Sequence, residues 1–327
     1  MNHILSGIQP TGRKHVGNYF GAIRQYAALQ DKGEAYYCIV DLHALTVLPD
    51  PCELRKATLE TAALLIAAGL DAERCTLFVQ SHVAGPHAEL AWLLNCVASY
   101  GQMARMTQFK DKSDNRKHVS VGLFTYPVLQ AADILLYDAN IVPIGADQKQ
   151  HLELTRAIAE RFNSLYGGTF VIPEPQFAEV GTRLCDLQSP TKKMSTSSES
   201  DKGTIFVLDD PDVITNKVQR AVTDDGSEVF SGTTKPGITN LLQLMSAATG
   251  ESVSQLEDRY RSSGYGTLKA SVAEAVVEAL RPVRERYHQL VADLDSLSQL
   301  LTNGAAKARD HAESKVAQVR QLMGCGQ

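Results

Sequence analysis

The run ILSGIQPTGRKHVGN, Ile4 to Asn18, passes from strand to loop to helix start in one short stretch. Ile4-Leu5 reads as an apolar strand that stops at Ser6-Gly7. A loop with Gly12 and Gly17 follows, and from Asn18 the helical spacing Tyr19, Ile23, Tyr26, Ala27 runs to Asp31 ahead of Gly33. The same alternation recurs downstream. Strand-like runs at 35–40 (AYYCIV), 76–79 and 141–144 are separated by helical patterns at 51–68, 87–99, 120–136 and 148–165. Pro51 opens the first of these helices and Gly69 closes it, the expected end asymmetry. Strands that alternate with helices imply a parallel sheet with right-handed crossovers, so the first half is expected to be an α/β, Rossmann-like, doubly wound domain. Such sheets place ligands at the carboxyl ends of their strands. The loops after Leu5 and after Ile144 both lie at such ends.

The second half has a different character. Residues 173–200 are rich in Pro, Gly, Ser and Thr and read as a loop or boundary. Beyond Pro211 nearly every pattern is helical, at 213–222, 238–248, 253–261, 270–290 and 304–323. No repeat of 20–50 residues is visible. With 327 residues, 44% apolar and 21% charged, the chain can bury a full core. Its formal charge of −5 gives no overall attraction for nucleic acid, so any such partner must meet a local basic surface. Six cysteines without CxxC spacing read as free thiols in a reducing compartment, five of them in apolar or mixed contexts that suggest burial. The N-terminus does not read as a signal peptide, and no run is long and apolar enough to span a membrane. A soluble, cytoplasmic protein with no bound metal is expected.

Two segments carry chemistry. In the opening turn, the backbone amides of a helix start hold anions well, Gly17 allows close approach of phosphates, and His15 and Asn18 add side-chain donors. Taken alone, the segment is equally an ordinary strand–helix turn. The second is PTKKMSTSS, Pro190 to Ser198, where Lys192 and Lys193 with several hydroxyls suit a departing triphosphate. Taken alone, it reads more readily as a solvated linker.

Together, the two segments resemble the signatures of class I aminoacyl-tRNA synthetases: HIGH at His15-Val16-Gly17-Asn18 and KMSKS at Lys193-Met194-Ser195-Thr196-Ser197. The stretches SGIQPTG, YCIVDLHALT (37–46), RMTQFKDKS (105–113), YPVLQAADILLY (126–137), VPIGADQKQHLELTRAIAERFN (142–163) and AVTD (221–224) are similar to the bacterial tryptophan branch of that family. The resemblance implies an ATP-dependent ligase that joins L-tryptophan to tRNA(Trp) through an adenylate, with Mg²⁺ accompanying ATP, and a homodimer with no membrane attachment. It further implies a catalytic domain over 1–185, a signature loop and linker over 186–203, and a helical anticodon-binding domain over 204–327. The last helix of that domain is a candidate to pack back on the catalytic domain.

Residue roles also follow from the resemblance. His15, Gly17, Asn18, Lys112, Lys193 and Ser195 are the implied catalytic set. ATP is implied to meet Gln9, Gly17, Asn18, Gly145, Asp147, Gln148, Lys192, Lys193, Met194 and Ser195. Tryptophan is implied to meet Leu5, Gln9, His43, Tyr126, Gln130, Asp133, Ile144 and Gln148. Tyr126 and Gln148 would lie near the ammonium and His43 at the pocket edge. Asp133 would accept the indole N–H, a donor that must be paired when buried. Asp147 would meet the ribose or cap the following helix. The chain departs from the pattern at Thr196, where a second lysine is usual, and at His15, Leu5, Leu42 and Gln130.

Overall fold

A computed structural model of the chain describes residues 1–114, 119–177, 184–195 and 200–326, with the side chains of Lys112 and Ala146 outside that set. β1 (His3–Ile8) continues through Ser6-Gly7 instead of stopping there. Gly7 is a strand residue for a steric reason: a Cβ there would sit 3.2 Å from Val40 Cγ1. β1 pairs in parallel with β2 (Glu34–Ile39), from His3 opposite Glu34 to Ile8 opposite Ile39. β3 (Thr76–Val79) and β4 (Ile141–Ile144) have the expected bounds. The sheet order is β3-β2-β1-β4-β5, so the winding reverses between β1 and β4. At that switch point two crossovers diverge and leave a crevice at the strand ends.

β5 (Glu174–Phe177) corrects the reading of 173–200 as loop throughout. Its sequence, EPQF, carries a proline and little apolar content. An edge strand tolerates both, because one side of its backbone faces away from the ladder.

Alternate residues of β2 feed two cores, as strand periodicity requires. Tyr37 and Ile39 face one cluster, which includes Leu65 of the helix Pro51–Ala67, Ile214, Leu241 and Val276. Tyr36 and Cys38 face the other, with residues of Ala84–Asn95, Val121–Leu135 and Lys149–Tyr166. The first cluster therefore joins the α/β half to the helical half. The closing helix, Leu294–Leu322, returns to the second cluster through Ala305, Ala308, Ala312, Val316 and Val319. Gly304, read as the start of a helix, lies inside it, because a Cβ at this position would lie 1.9 Å from the Leu77 carbonyl oxygen. Gly304→Ala should therefore lift this helix off β3 and lower stability by about 3 kcal/mol, measured by denaturant unfolding.

The cysteines depart from expectation. Cys38 and Cys75 are buried and Cys185 is intermediate, but Cys52, Cys96 and Cys325 are exposed. Cys52 follows Pro51 on the solvent side of a first helical turn, and Cys96 and Cys325 each lie just beyond a helix end.

Candidate active site

A cavity of about 260 Å³ opens at the β1–β4 switch point. Leu5 and Gln9 reach it from β1 and the residue beyond, and Ile144 from the end of β4. Tyr126, Gln130 and Asp133 come from one face of Val121–Leu135, His43 from the short helix Asp41–Ala44, and Gln148 from the turn before Lys149–Tyr166. The spacing 126, 130, 133 is one helical stripe, which explains how distant positions converge. Ser120 caps this helix by accepting from the Leu123 amide at 3.2 Å, which sets its start. A larger groove of about 690 Å³, bordered by Leu77, Asn303 and Lys307, is open surface away from both signature segments.

Asp133 is buried and has three donors. Gln80 Nε2 at 2.7 Å and His87 Nδ1 at 2.6 Å converge on Oδ1, while His43 Nε2 lies 2.8 Å from Oδ2. Burial alone would push this carboxyl up. The hydrogen bonds from His43 and His87 more than reverse that and hold it well below the usual carboxylate range. The group is thus an anion at neutral pH. Oδ1 has both lone pairs engaged, whereas Oδ2 has one engaged and one open. Gln80 and His87 went unrecognised in the sequence. Gln80, at the carboxyl end of β3, was findable from strand position alone.

The polar wall is built from amides. Gln130 Nε2 donates to Gln148 Oε1 at 3.3 Å, and Gln148 Nε2 donates to Asp147 Oδ2 at 3.1 Å. A polar residue at 130 is thereby satisfied within the site. Asp147 does not cap the following helix, because its carboxylate serves Gln148 instead. Gly145 lies beside it: a Cβ there would stand 2.7 Å from Asp147 Oδ1 and push that side chain aside. The Tyr126 hydroxyl donates to Gln108 Oε1 at 3.4 Å and lies 2.8 Å from His151 Nε2. Burial pushes its pKa up to about 12, so it is neutral. Gln108, which also donates to the Asp147 carbonyl at 3.1 Å, was not anticipated.

The opening turn is tighter than expected. His15, not Asn18, starts the helix. Its Nδ1 accepts the Asn18 amide at 3.3 Å, while Asn18 Oδ1 accepts the His15 amide at 3.1 Å. Helix Val16–Asn18 then passes through a π turn at Tyr19–Ile23 into Arg24–Leu29. Since Nδ1 accepts, a neutral His15 carries its proton on Nε2, where it can donate to an anion. Burial, then the positive charges of Lys193 and Lys14, lower its pKa to about 4. The unfolded chain protonates this imidazole below its ordinary 6.5 and the folded chain only near 4, so acidification through that window favours unfolding. Stability should therefore fall between pH 6.5 and 4, and His15→Asn should flatten that part of the profile. A Cβ on Gly17 would meet the His15 ring at 2.9 Å.

The influence of Lys193 on His15 links the two signature segments. Backbone bonds hold the opening turn to the segment just beyond the loop: Val16 N to Ile205 O at 3.0 Å and Val207 N to Lys14 O at 2.9 Å. Lys192 and Lys193 are exposed, Ser195 is half-buried, and Met194 is buried as the anchor of the loop. Asn240, on the helix Pro236–Thr249, holds both the amide and the carbonyl of Cys185, the residue bridged to Lys193. Thr196 and Ser197 lie outside the described residues. So does the side chain of Lys112, whose backbone belongs to the helix Thr107–Ser113.

A parallel sheet wound in this order, a glycine turn at its first strand end and a lysine loop tied to that turn define a class I nucleotide-activating enzyme. A family model described as tRNA synthetases class I (W and Y) matches residues 1–281, and the chain belongs to that family. Two similar curated proteins are tryptophan–tRNA ligases. The ligase of Caldanaerobacter subterraneus is 50% identical over 99% of this chain and 98% of its own, and ligase 2 of Streptomyces avermitilis is 51% identical over 98% and 96%. The crystal structure of tryptophanyl-tRNA synthetase from Campylobacter jejuni, complexed with ADP and tryptophan, superposes with a TM-score of 0.86 at 33% identity, covering 98% of this chain and 99% of that one.

Proposed function

We infer that this chain is a tryptophan–tRNA ligase: it activates L-tryptophan with ATP to tryptophanyl-adenylate and pyrophosphate, then transfers the acyl group to the 3′ end of tRNA(Trp). The observation that carries the reading is the buried Asp133 carboxylate at the cavity, with two partners on Oδ1 and one on Oδ2, which leaves a lone pair of Oδ2 for a ligand. That lone pair suits an indole N–H, and a site built to accept one strongly rejects rings that lack it. Tyr126 and Gln148 offer oxygens to the substrate ammonium at the same cavity.

In activation, a carboxylate oxygen of tryptophan forms a bond to the α-phosphorus of ATP as the bond from that phosphorus to the departing pyrophosphate breaks. The chain supplies position and charge, not a nucleophile. The turn at His15–Gly17 offers amides and the His15 N–H, and Lys192 and Lys193 offset charge on the leaving group. Gly145 and Asp147 stand at the β4 end, where a ribose would lie. Among the described residues no cluster of His, Cys, Asp or Glu is arranged for a metal ion, and Mg²⁺ enters as part of the nucleotide substrate. In transfer, a terminal ribose hydroxyl of tRNA attacks the acyl carbon and AMP leaves.

The helical segment over 204–327 is the proposed anticodon reader, with 1–185 catalytic and 186–203 the signature loop and linker. No helix of the described residues is long and apolar enough to cross a membrane. A cytoplasmic location fits the substrates. A homodimer is proposed because Trp92 and Tyr100 are 69% and 75% exposed, with Leu48 and Val121 also exposed. Exposed apolar side chains mark an interface where they form one contiguous patch. Sedimentation should show a dimer, and Trp92→Glu should shift it toward monomer. For the activity itself, purified protein should charge tRNA(Trp) with tryptophan. Charging of tRNA(Tyr) with tyrosine instead would refute the assignment.

A further inference from the structure

His87 is fully buried on the helix Ala84–Asn95 and does not line the cavity, so it cannot touch a bound amino acid. Its two ring nitrogens are both engaged. Nδ1 lies 2.6 Å from Asp133 Oδ1, and Nε2 lies 2.8 Å from the hydroxyl of Tyr137. Tyr137 is also fully buried, and burial raises its pKa strongly, so it keeps its O–H. A bare Nδ1 facing a carboxylate oxygen would set acceptor against acceptor. The arrangement that satisfies every partner therefore has Tyr137 O–H donating to Nε2 and Nδ1–H donating to Asp133. Phe78 and Tyr137 flank the ring at 6.1 and 5.7 Å, leaving it no alternative seat.

We propose that His87 is a specificity-positioning residue: locked in one tautomer by Tyr137, it fixes the carboxylate of Asp133 so that only one lone pair of Oδ2 faces the cavity, and so sets the preference for an amino acid whose ring bears an N–H. The proposal rests on the reading of Asp133 given under Proposed function. With His87 and Gln80 saturating Oδ1, the carboxylate cannot swing to meet a ring from another angle. An ordered acceptor of this kind discriminates by direction as well as by charge.

The test compares the full-length enzyme with His87→Asn, His87→Gln and Asp133→Asn. The readout is kcat/KM in ATP–pyrophosphate exchange with tryptophan and with its benzothiophene analogue, in which sulfur replaces the ring N–H. Asparagine places an amide donor where Nδ1 stood, whereas glutamine places it where Nε2 stood. His87→Asn should keep the wild-type preference for tryptophan. His87→Gln should reduce that preference by about tenfold or more through the KM for tryptophan, with the analogue little changed. A side chain that merely fills space predicts the reverse ranking, since glutamine is nearer in volume to histidine, and predicts equal losses for both substrates. That result would overturn the proposal. If His87→Gln does not fold, Tyr137→Phe serves: it removes the O–H that locks the tautomer, and it should lower the same preference several-fold, while an unchanged preference counts against His87. Wild-type preference in Asp133→Asn would sink the reading of Asp133 itself. Loss there with full retention in His87→Gln would sink only the role of His87.

Discussion

Asp133→Asn is expected to lower kcat/KM for tryptophan by roughly 10³-fold or more. An asparagine can present its carbonyl to Gln80 and His87, but its amide then faces His43 Nε2 and the incoming indole N–H, donor against donor. Buried donors without acceptors cost about 1–3 kcal/mol each. The same variant should therefore lose about 2 kcal/mol of stability in denaturant unfolding, a structural cost separate from the catalytic one. Asp133→Ala is the harsher change, because it strands three buried donors at once. For that reason it is a poor probe of recognition alone. Equal losses with tryptophan and the benzothiophene analogue would show that the carboxylate serves the fold and not the ring.

Lys193→Ala is expected to act in the opposite way, on rate without stability. The side chain is exposed, so its removal should leave unfolding within about 0.5 kcal/mol of wild type. Its charge is felt at His15, and on the proposed reading both belong to the phosphate side of the site. Removing a preorganised donor to developing charge typically costs about 10²–10³ in rate, and a loss of that size is expected in kcat for pyrophosphate exchange. KM for tryptophan should be nearly unchanged, because the indole end lies elsewhere. Lys193→Arg should fall between the two, since the charge remains but its shape changes. A normal kcat in Lys193→Ala would remove this loop from the chemistry.

Much of the architecture could be read in the chain because local signals agreed with tertiary demands. β3 and β4 are short apolar runs between clear breakers, and Pro51 is a plain helix start. β5 escaped because an edge strand needs little apolar content and tolerates Pro175. The stop assigned at Ser6-Gly7 was misplaced because glycine there serves packing against Val40, not a turn. At the site, residues on one helical stripe or within a signature stood out. Gln80, His87 and Asn240 did not, since each meets its partner only after the chain folds; Gln108 lies inside the 105–113 stretch, but its partners Tyr126 and Asp147 come from other segments. The surroundings of Asp133 show the difference well. Its burial among apolar neighbours was legible, but the histidines and glutamine that keep it charged come from three other segments.

The proposed phosphate-binding cradle and indole-reading carboxylate must work as one site. Amino-acid-dependent ATP–pyrophosphate exchange measures that coupling directly, because exchange requires both substrates at once. Tryptophan should support rapid exchange and tyrosine very little. Faster exchange with tyrosine, or none with any amino acid, would contradict the account.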